Sequence, residues 1–419
     1  MLAIFSYAGY DRNLRDIIYV SLDADDDREN HPLSPGIFVF RRPCLLASHL
    51  IEIMIKPEKT MSAQYTTRIL IPSDQDTYRC AAQALQEGDV IAIPTETVYG
   101  LAGNAFDTAA LDKIFAAKER PALNPLILHI SSEQAKTVQD LADAEYINIE
   151  GIPEDIITAL NRVINAFWPG PLTLVLPRHR RISDRLTGGL ETVALRVPAH
   201  PVAQKLIGLT FPLAAPSANR SGRISPTSAD AVYEELQGRI PFIIDGDACE
   251  VGLESSILAY LDGHLRLLRP GAISLKELRR ESGIKIASAQ KHPAEVRAPG
   301  MLQSHYAPDT PVKLFRNEAE LQSLLVDRSE ASIGVLMLGP ATSHDLQEQL
   351  SQPRFTVEIL SQSRDLTESA RQLFATLRRL DHTPCELLLA QVPPQDQGLG
   401  QAIRDRLLKA SAPRNLFST

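Results

Sequence analysis

From Thr67 onward, short apolar runs alternate with helix-patterned segments, and several runs stand too close together for a helix to lie between them. Two parallel strands need a crossover of about a dozen residues or more, whereas two antiparallel strands need only a turn. The spacing therefore predicts an α/β chain on a mixed sheet rather than a purely parallel one. The expected strands run over 68–71, 90–93, 126–130, 172–176, 192–197, 213–215, 241–245, 256–260 and 264–269. Helical spacing is read over Thr77–Glu87, closed by Gly88, and over the segment headed by Asp107, a residue type that caps helix N-termini. Further helices are expected over 154–167, 201–207 and 228–236.

A second α/β unit follows, with strands over 312–315, 332–338 and 385–389 and helices over 318–326, 343–350, 365–381 and 399–410. Between the units, Pro293, Pro299-Gly300 and Pro308 break any long element, so residues 284–311 read as a linker. Gly398-Leu399-Gly400 lacks the third glycine of a dinucleotide fingerprint and no clean strand leads into it; it reads as a helix start. The 419 residues thus divide into an extension over 1–60, a larger domain over 61–283, the linker, and a smaller domain over 312–419. In the extension Asp11, Arg12, Arg15 and Asp16 interrupt any secretory apolar core. It reads as a poorly ordered arm, or as an over-long start that precedes a natural initiator at Met61; the rival reading is a regulatory or targeting arm.

The chemistry gathers in residues 91–128. An apolar run ends at Pro94, a hydroxyl-rich turn Thr95-Glu96-Thr97 follows, and a helical segment ends in Lys118-Glu119-Arg120-Pro121. Proline forbids further helix there. A guanidinium fork beside an ammonium suits phosphate oxygens. Alone, the stretch reads equally as a strand, a polar turn and a solvated basic helix end. A net charge of −8 at pH 7 argues against a chain that coats nucleic acid non-specifically. No apolar stretch is long enough to span a membrane. Cys44, Cys80, Cys249 and Cys385 lie far apart, with no CxxC pair, which fits a reduced cytosol and offers no zinc site or disulfide framework. There is no GxSxG nucleophile turn and no P-loop sequence.

Pro94-Thr95-Glu96-Thr97-Val98-Tyr99-Gly100-Leu101, then Lys118-Glu119-Arg120-Pro121 and Asn124-Pro125-Leu126, resemble the YrdC/Sua5 family. The resemblance continues through Pro169-Gly170-Pro171-Leu172-Thr173, Leu195-Arg196-Val197-Pro198, Ala215-Pro216-Ser217-Ala218-Asn219, Glu254-Ser255-Ser256 and Leu268-Arg269-Pro270-Gly271. It implies a YrdC-like twisted mixed sheet with a concave, positively charged cleft, and a smaller Rossmann-like C-terminal domain. It implies the synthesis of L-threonylcarbamoyladenylate and pyrophosphate from L-threonine, bicarbonate or CO2, and ATP. That is the first step of t6A formation in tRNA, carried out in the cytoplasm. A downstream transferase complex is implied as a partner, and direct contact with tRNA or double-stranded RNA is a further expectation. Mg2+ is implied by ATP; Glu96 and Glu254 are at hand, and neither is assigned as its ligand.

Carried over from the family, Thr97, His129, Ala215 and Ser255 line the threonine side, and Arg196, at the end of its strand, is assigned to the threonine carboxylate or carbamate. Arg120, Asn124, Thr173, Ser217, Asn219, Ser225, Arg269 and Tyr306 line the nucleotide side. Lys118, Arg120 and Arg196 are the expected catalytic cations. An arginine inside the apolar run Thr192–Val197 is costly unless paired, which already marks Arg196. Ser304-His305-Tyr306-Ala307-Pro308 is similar to a stretch that folds back over the nucleotide in such enzymes. Two departures stand out: Ala102 follows Leu101 where a glycine is commoner, and the spacer over 141–153 is longer and more acidic. One rival reading is a double-stranded-RNA binder using Arg220, Arg223 and Arg239. Another is a carbamoyl-transfer domain of hydrogenase maturation proteins, which carry zinc-finger cysteines that this chain lacks. The native protein is expected to begin at Met61, and its intact mass checks this; a mass that includes Met1 overturns it.

Overall fold

The computed structural model describes residues 2–4, 21–23, 65–72, 75–121, 124–288, 305–326, 331–394 and 398–412. Contacts divide the chain into Met1–Ser62 and Ala63–Thr419. In the first unit β1 (Leu2–Ile4) pairs antiparallel with β2 (Ser21–Asp23). The rest of the expected extension, the start at Met61 and most of the linker lie outside the described residues.

The second unit carries a large mixed sheet. Its strands are β3 (Arg68–Leu70), β4 (Ile91–Ile93), β5 (Gly100–Asn104), β6 (Ile127–His129), β7 (Leu172–Pro177), β8 (Thr192–Arg196), β9 (Leu213–Ala214), β10 (Phe242–Ile244), β11 (Ser256–Leu261), β12 (His264–Arg269) and β13 (Ala287–Ser288). They lie in the order β13-β12-β11-β7-β8-β6-β9-β5-β4-β10-β3. β6 runs parallel to β8, β7 parallel to β11, and β7 antiparallel to β8, so the sheet is mixed as the spacing required. β5 is the strand the sequence hid: Gly100-Leu101-Ala102-Gly103-Asn104 has no β-branched residue, yet pairs antiparallel with both β4 and β9.

Alternation along these strands sorts the side chains. Leu128, Leu174 and Leu195 join a large apolar core that includes Ile156, Leu160, Val163 and Ile164 of the Glu154–Phe167 helix. Ile127, Val175, Ala194, Ile257 and Ala259 form a separate buried cluster. By the two-residue period of a strand, His129, Thr173 and Arg196 share the face of Ile127, Val175 and Ala194. Register then brings them together, since His129 lies opposite Arg196 and Thr173 opposite Ile257. Helices follow the expected signals: Asp107 caps the Thr108–Lys118 helix by accepting from the Ala109 N–H at 2.9 Å. The acidic spacer over 141–153 is partly occupied by a helix, Val138–Asp143, with a capping box at Thr137.

The C-terminal part has four parallel strands, β14 (Val312–Phe315), β15 (Ile333–Met337), β16 (Phe355–Ile359) and β17 (Leu387–Gln391), in the order β14-β17-β15-β16. Gly398 heads the Leu399–Ala410 helix, as its sequence suggested. One apolar cluster contains Leu373, Phe374, Leu377, Ile403 and Leu407 of this part together with Val98, Ile224, Leu253 and Tyr306. Gly252 lets the two parts approach. Its φ is +74°, and a Cβ there would stand 2.5 Å from the Cα of Arg371 and 2.7 Å from the carbonyl oxygen of Ala370. The Gly252→Ala variant is expected to lose about 2 kcal/mol or more, from strain and collision together. Urea unfolding measures this, and an unchanged midpoint contradicts the close approach.

Candidate active site

A narrow cleft opens at the ends of these strands. It is lined by residues far apart in sequence, among them Thr97, Arg120, His129, Arg196, Ala215, Ser217, Ser255, Arg269 and Tyr306. Local structure explains how each arrives. Pro94 ends β4, and the Thr95 hydroxyl donates to the Val98 carbonyl at 2.7 Å and lies 2.9 Å from the Thr97 hydroxyl, so the turn is fixed by its own side chains. Ala215 follows β9, where its N–H donates to the Ile127 carbonyl at 3.1 Å. At Gly271 a Cβ would stand 2.4 Å from the Ser256 nitrogen, so only glycine lets the segment after Arg269 lie against Ser255-Ser256.

Arg196 is paired as its burial demanded. Its Nη2 meets Glu96 Oε1 at 2.6 Å and its Nε donates to the Gly170 carbonyl at 3.3 Å. Glu96 also accepts from the Ala199 N–H at 3.1 Å. Arg120 is different. Its Nη2 donates to the Pro125 carbonyl at 2.9 Å and its Nε to the Asn124 carbonyl at 3.3 Å, and no carboxylate faces it among the described residues. Burial lowers its pKa to about 10, so it remains a cation at neutral pH. Arg269 donates to the Ser255 carbonyl at 3.0 Å and to the Ser255 hydroxyl at 3.1 Å, and that hydroxyl lies 2.7 Å from Thr173 Oγ1.

Lys118 does not join Arg120 in the cleft. The helix ends at Glu119, which adopts φ +51° and turns the chain between them. The Lys118 ammonium donates to the carbonyls of Ser217 and Asn219. Burial first, and then Arg120, pull its pKa well below the usual lysine value. In that position it braces the loop that carries Ser217. Asn219, too, is turned to the protein, donating to the carbonyls of Arg220 and Arg223 at 2.7 and 2.9 Å. Ser225 donates to Glu254 Oε1 at 2.6 Å. Thr173, Ser225, Asn124 and Asn219 stand behind the lining rather than in it.

Several buried polar atoms have no protein partner: both amide atoms of Asn124, Asn219 Oδ1, His305 Nδ1, the Tyr306 hydroxyl and the Thr187 hydroxyl. All but the last belong to the cleft or its supports. Buried polar groups are normally satisfied, so this clustering points to a polar ligand. Tyr306 is 0% exposed with φ +64°, and its ring packs tilted against that of Phe374, centroids 5.3 Å apart. His129 is held neutral: burial first, then Arg196, lower its pKa to about 3, while Nδ1 lies 3.1 Å from the Ile127 carbonyl. With that nitrogen donating, Nε2 is an acceptor.

Sequence reading missed Val98, Tyr99, Gly100, Pro216 and His305 as lining residues, although each lies inside a recognised motif. It considered Glu254 only for Mg2+. Glu254 is instead occupied by Ser225 and by Arg406, whose Nε lies 2.9 Å from Oε2. Among the described residues no group of three or more metal-binding side chains occurs, and the carboxylates of Glu96 and Glu254 are both engaged by protein. The arginines of the RNA reading are also engaged: Arg220 with Glu235, Arg223 with Asp309 and Arg239 with Glu119. No described helix is long and apolar enough to cross a membrane.

The profile of a family described as Telomere recombination, labelled for Sua5, YciO and YrdC proteins, matches residues 83–271. That of the Threonylcarbamoyl-AMP synthase, C-terminal domain, matches residues 273–412. The threonylcarbamoyl-AMP synthase of Pyrococcus abyssi (strain GE5 / Orsay) is 39% identical over 345 residues, covering 80% of this chain and 94% of that one. Its namesake from Bacillus subtilis (strain 168) is 38% identical over 339 residues, covering 80% and 92%. The crystal structure of P. abyssi Sua5 complexed with L-threonine superposes with a TM-score of 0.70 at 37% identity, covering 82% of this chain and 97% of that one.

Acid should weaken this site in a definite pH window. Burial lowers His305 to about 3, as it does His129. For Glu254, burial works upward, but Arg406, Arg269 and the Ser225 hydroxyl outweigh it and hold the carboxyl at about 2. All three folded pKa values lie below the unfolded ones, so the unfolded chain takes up protons first and stability falls with pH. The urea midpoint is expected to decline as pH falls below about 6.5, from the histidines, and more steeply below about 4.5, from Glu254. His305→Gln should flatten the upper part by up to about 1.4 kcal/mol per pH unit. An unaltered profile in that variant means that His305 is not held neutral.

Proposed function

The chain belongs to the threonylcarbamoyl-AMP synthase family, in the form that joins a YrdC-like domain to a Sua5 C-terminal domain, and on that premise we propose that its cleft condenses L-threonine, bicarbonate or CO2, and ATP. The observation that carries this reading is Arg120, a buried guanidinium that meets only backbone carbonyls among the described residues. A charge taken out of water without a counter-charge is costly. An anionic polyphosphate beside it supplies that counter-charge, and the unpartnered hydroxyl of Tyr306 offers a further hydrogen bond.

The division of the cleft follows. Arg196, oriented by Glu96 and Gly170, holds the threonine carboxylate or its carbamate. Thr97, His129, Ala215 and Ser255 surround the rest of the amino acid, with His129 Nε2 as a neutral acceptor for a threonine proton. Arg120, Ser217, Arg269 and Tyr306 surround the nucleotide, and Lys118, Asn124, Thr173, Asn219 and Ser225 support them from behind. In the first step the threonine nitrogen bonds to the carbon of CO2 and loses a proton, giving the carbamate. A carbamate oxygen then bonds to the α-phosphorus, the bond from that phosphorus to the bridging oxygen breaks, and pyrophosphate leaves. Such transfer depends on positioning and charge neutralisation rather than on a covalent nucleophile. Magnesium enters as part of the MgATP substrate, held by phosphates and water. The product is a reactive mixed anhydride, which a transferase would pass to tRNA adenosine.

Pyrophosphate release is expected only when ATP, L-threonine and bicarbonate are all present. Release without threonine, or silence with all three, overturns the reading. Arg120→Ala and Arg196→Ala should each lower kcat/KM at least about 100-fold, near 2.7 kcal/mol. Arg120→Ala should act chiefly through ATP, and Arg196→Ala through threonine.

A further inference from the structure

One side chain of the C-terminal part reaches the cleft wall without lining the cleft. Arg406 lies on the Leu399–Ala410 helix, and its side chain is 0% exposed. Its Nε meets Glu254 Oε2 at 2.9 Å, its Nη2 the Glu254 carbonyl at 3.4 Å, and its Nη1 the Pro270 carbonyl at 2.9 Å. The guanidinium carbon stands 5.5 Å from the centre of the Tyr306 ring. Asp405 holds the fork from its own helix, with Oδ2 at 2.8 Å from Nη1, and Lys409 meets the same carboxylate oxygen at 2.9 Å.

The partners are what matter. Glu254 directly precedes Ser255, which lines the cleft and receives Arg269. Pro270 directly follows Arg269. Tyr306 is the aromatic wall at the nucleotide end. Arg406 therefore touches two lining residues, Glu254 and Tyr306, and, through Pro270, the neighbour of a third, Arg269. A planar fork bound at several atoms gives direction as well as attraction. Mere attachment of the two parts does not need it. The apolar cluster around Phe374 and the rim bonds of Arg371 and Arg378 to the carbonyls of Glu250 and Ile224 already join them. An apolar pair in place of Arg406 and Glu254 would avoid the cost of burying charge.

We propose that Arg406 is a positioning residue of the active site: through Glu254, Pro270 and Tyr306 it sets Ser255, Arg269 and the aromatic wall, so that the nucleotide half of the cleft is complete only when the C-terminal helix is in place. This rests on reading the cleft as the ATP and threonine site.

The test compares full-length wild type with Arg406→Met, Arg406→Lys and the double variant Arg406→Met/Glu254→Gln. Thermal unfolding, ATP affinity by calorimetry, and the KM for ATP and L-threonine are measured for each. Arg406→Met strands a buried carboxylate and should be destabilised. The double variant removes that carboxylate and should regain most of the lost stability. If Arg406 positions the cleft, the double variant still binds ATP at least about tenfold more weakly than Glu254→Gln alone, which is measured beside it, with the threonine KM changed by less than about threefold. Arg406→Lys, with charge but no fork, should fall between it and wild type. If Arg406 serves stability alone, ATP affinity returns with stability in the double variant, and that result overturns the proposal. Wild type that releases no pyrophosphate with all three substrates tells instead against the functional reading, whatever the variants show.

Discussion

Guanidinium groups held out of water set the terms for this structure. Arg120, Arg196, Arg269 and Arg406 are all buried around one cleft, and they are tolerated in two ways. Arg196 has Glu96, and Arg406 has Glu254 with Asp405. Arg120 and Arg269 draw on backbone carbonyls at Asn124, Pro125 and Ser255. Those carbonyls come from segments at strand ends, where the ladder leaves acceptors unused. The loops are thus as much part of the electrostatics as the side chains are, and an anionic ligand completes what the protein begins.

The sheet turns this into a site by parity and register. His129, Thr173 and Arg196 come from three strands and share one face because each strand alternates in steps of two. A slip of one residue in β8 would send Arg196 into the apolar core and Leu195 into the cleft. The apolar face behind, with Leu128, Leu174 and Leu195 in one cluster, holds that register in place. Core packing and substrate chemistry are two sides of the same strands.

Much of this could be read from the sequence, because short apolar runs bounded by proline and glycine carry their period openly. The Glu154–Phe167 helix appears with the expected ends. Strand β5 escaped because small residues without branched side chains carry no strand signal, and pairing on both edges overrides that lack. Phe355–Ile359 was passed over as well, although it completes the parallel sheet beside β15. Of the site, the motifs named most of the lining, but not the direction in which each side chain points. Lys118 and Arg120 look like a pair in one dimension; the left-handed turn at Glu119 separates them in three. Arg406 left a signal that was overlooked. It sits on the stripe of Ala402, Ile403, Leu407 and Ala410, where a charge is out of place unless something buried awaits it.

The cluster that joins Val98, Ile224, Leu253 and Tyr306 to Ile403 and Leu407 has a consequence for how the chain is made. Synthesis runs from the N-terminus, and domains generally fold as they emerge. Here the larger domain leaves the ribosome while the helix that covers its apolar rim is still untranslated. Until Leu366–Asp381 and Leu399–Ala410 appear, Val98 and Leu253 lack the rest of that cluster, and Glu254 has no Arg406. The nascent protein therefore passes through a stage with a nearly complete sheet and an open, sticky cleft mouth. That stage is the one at which a chaperone would have the most surface to hold.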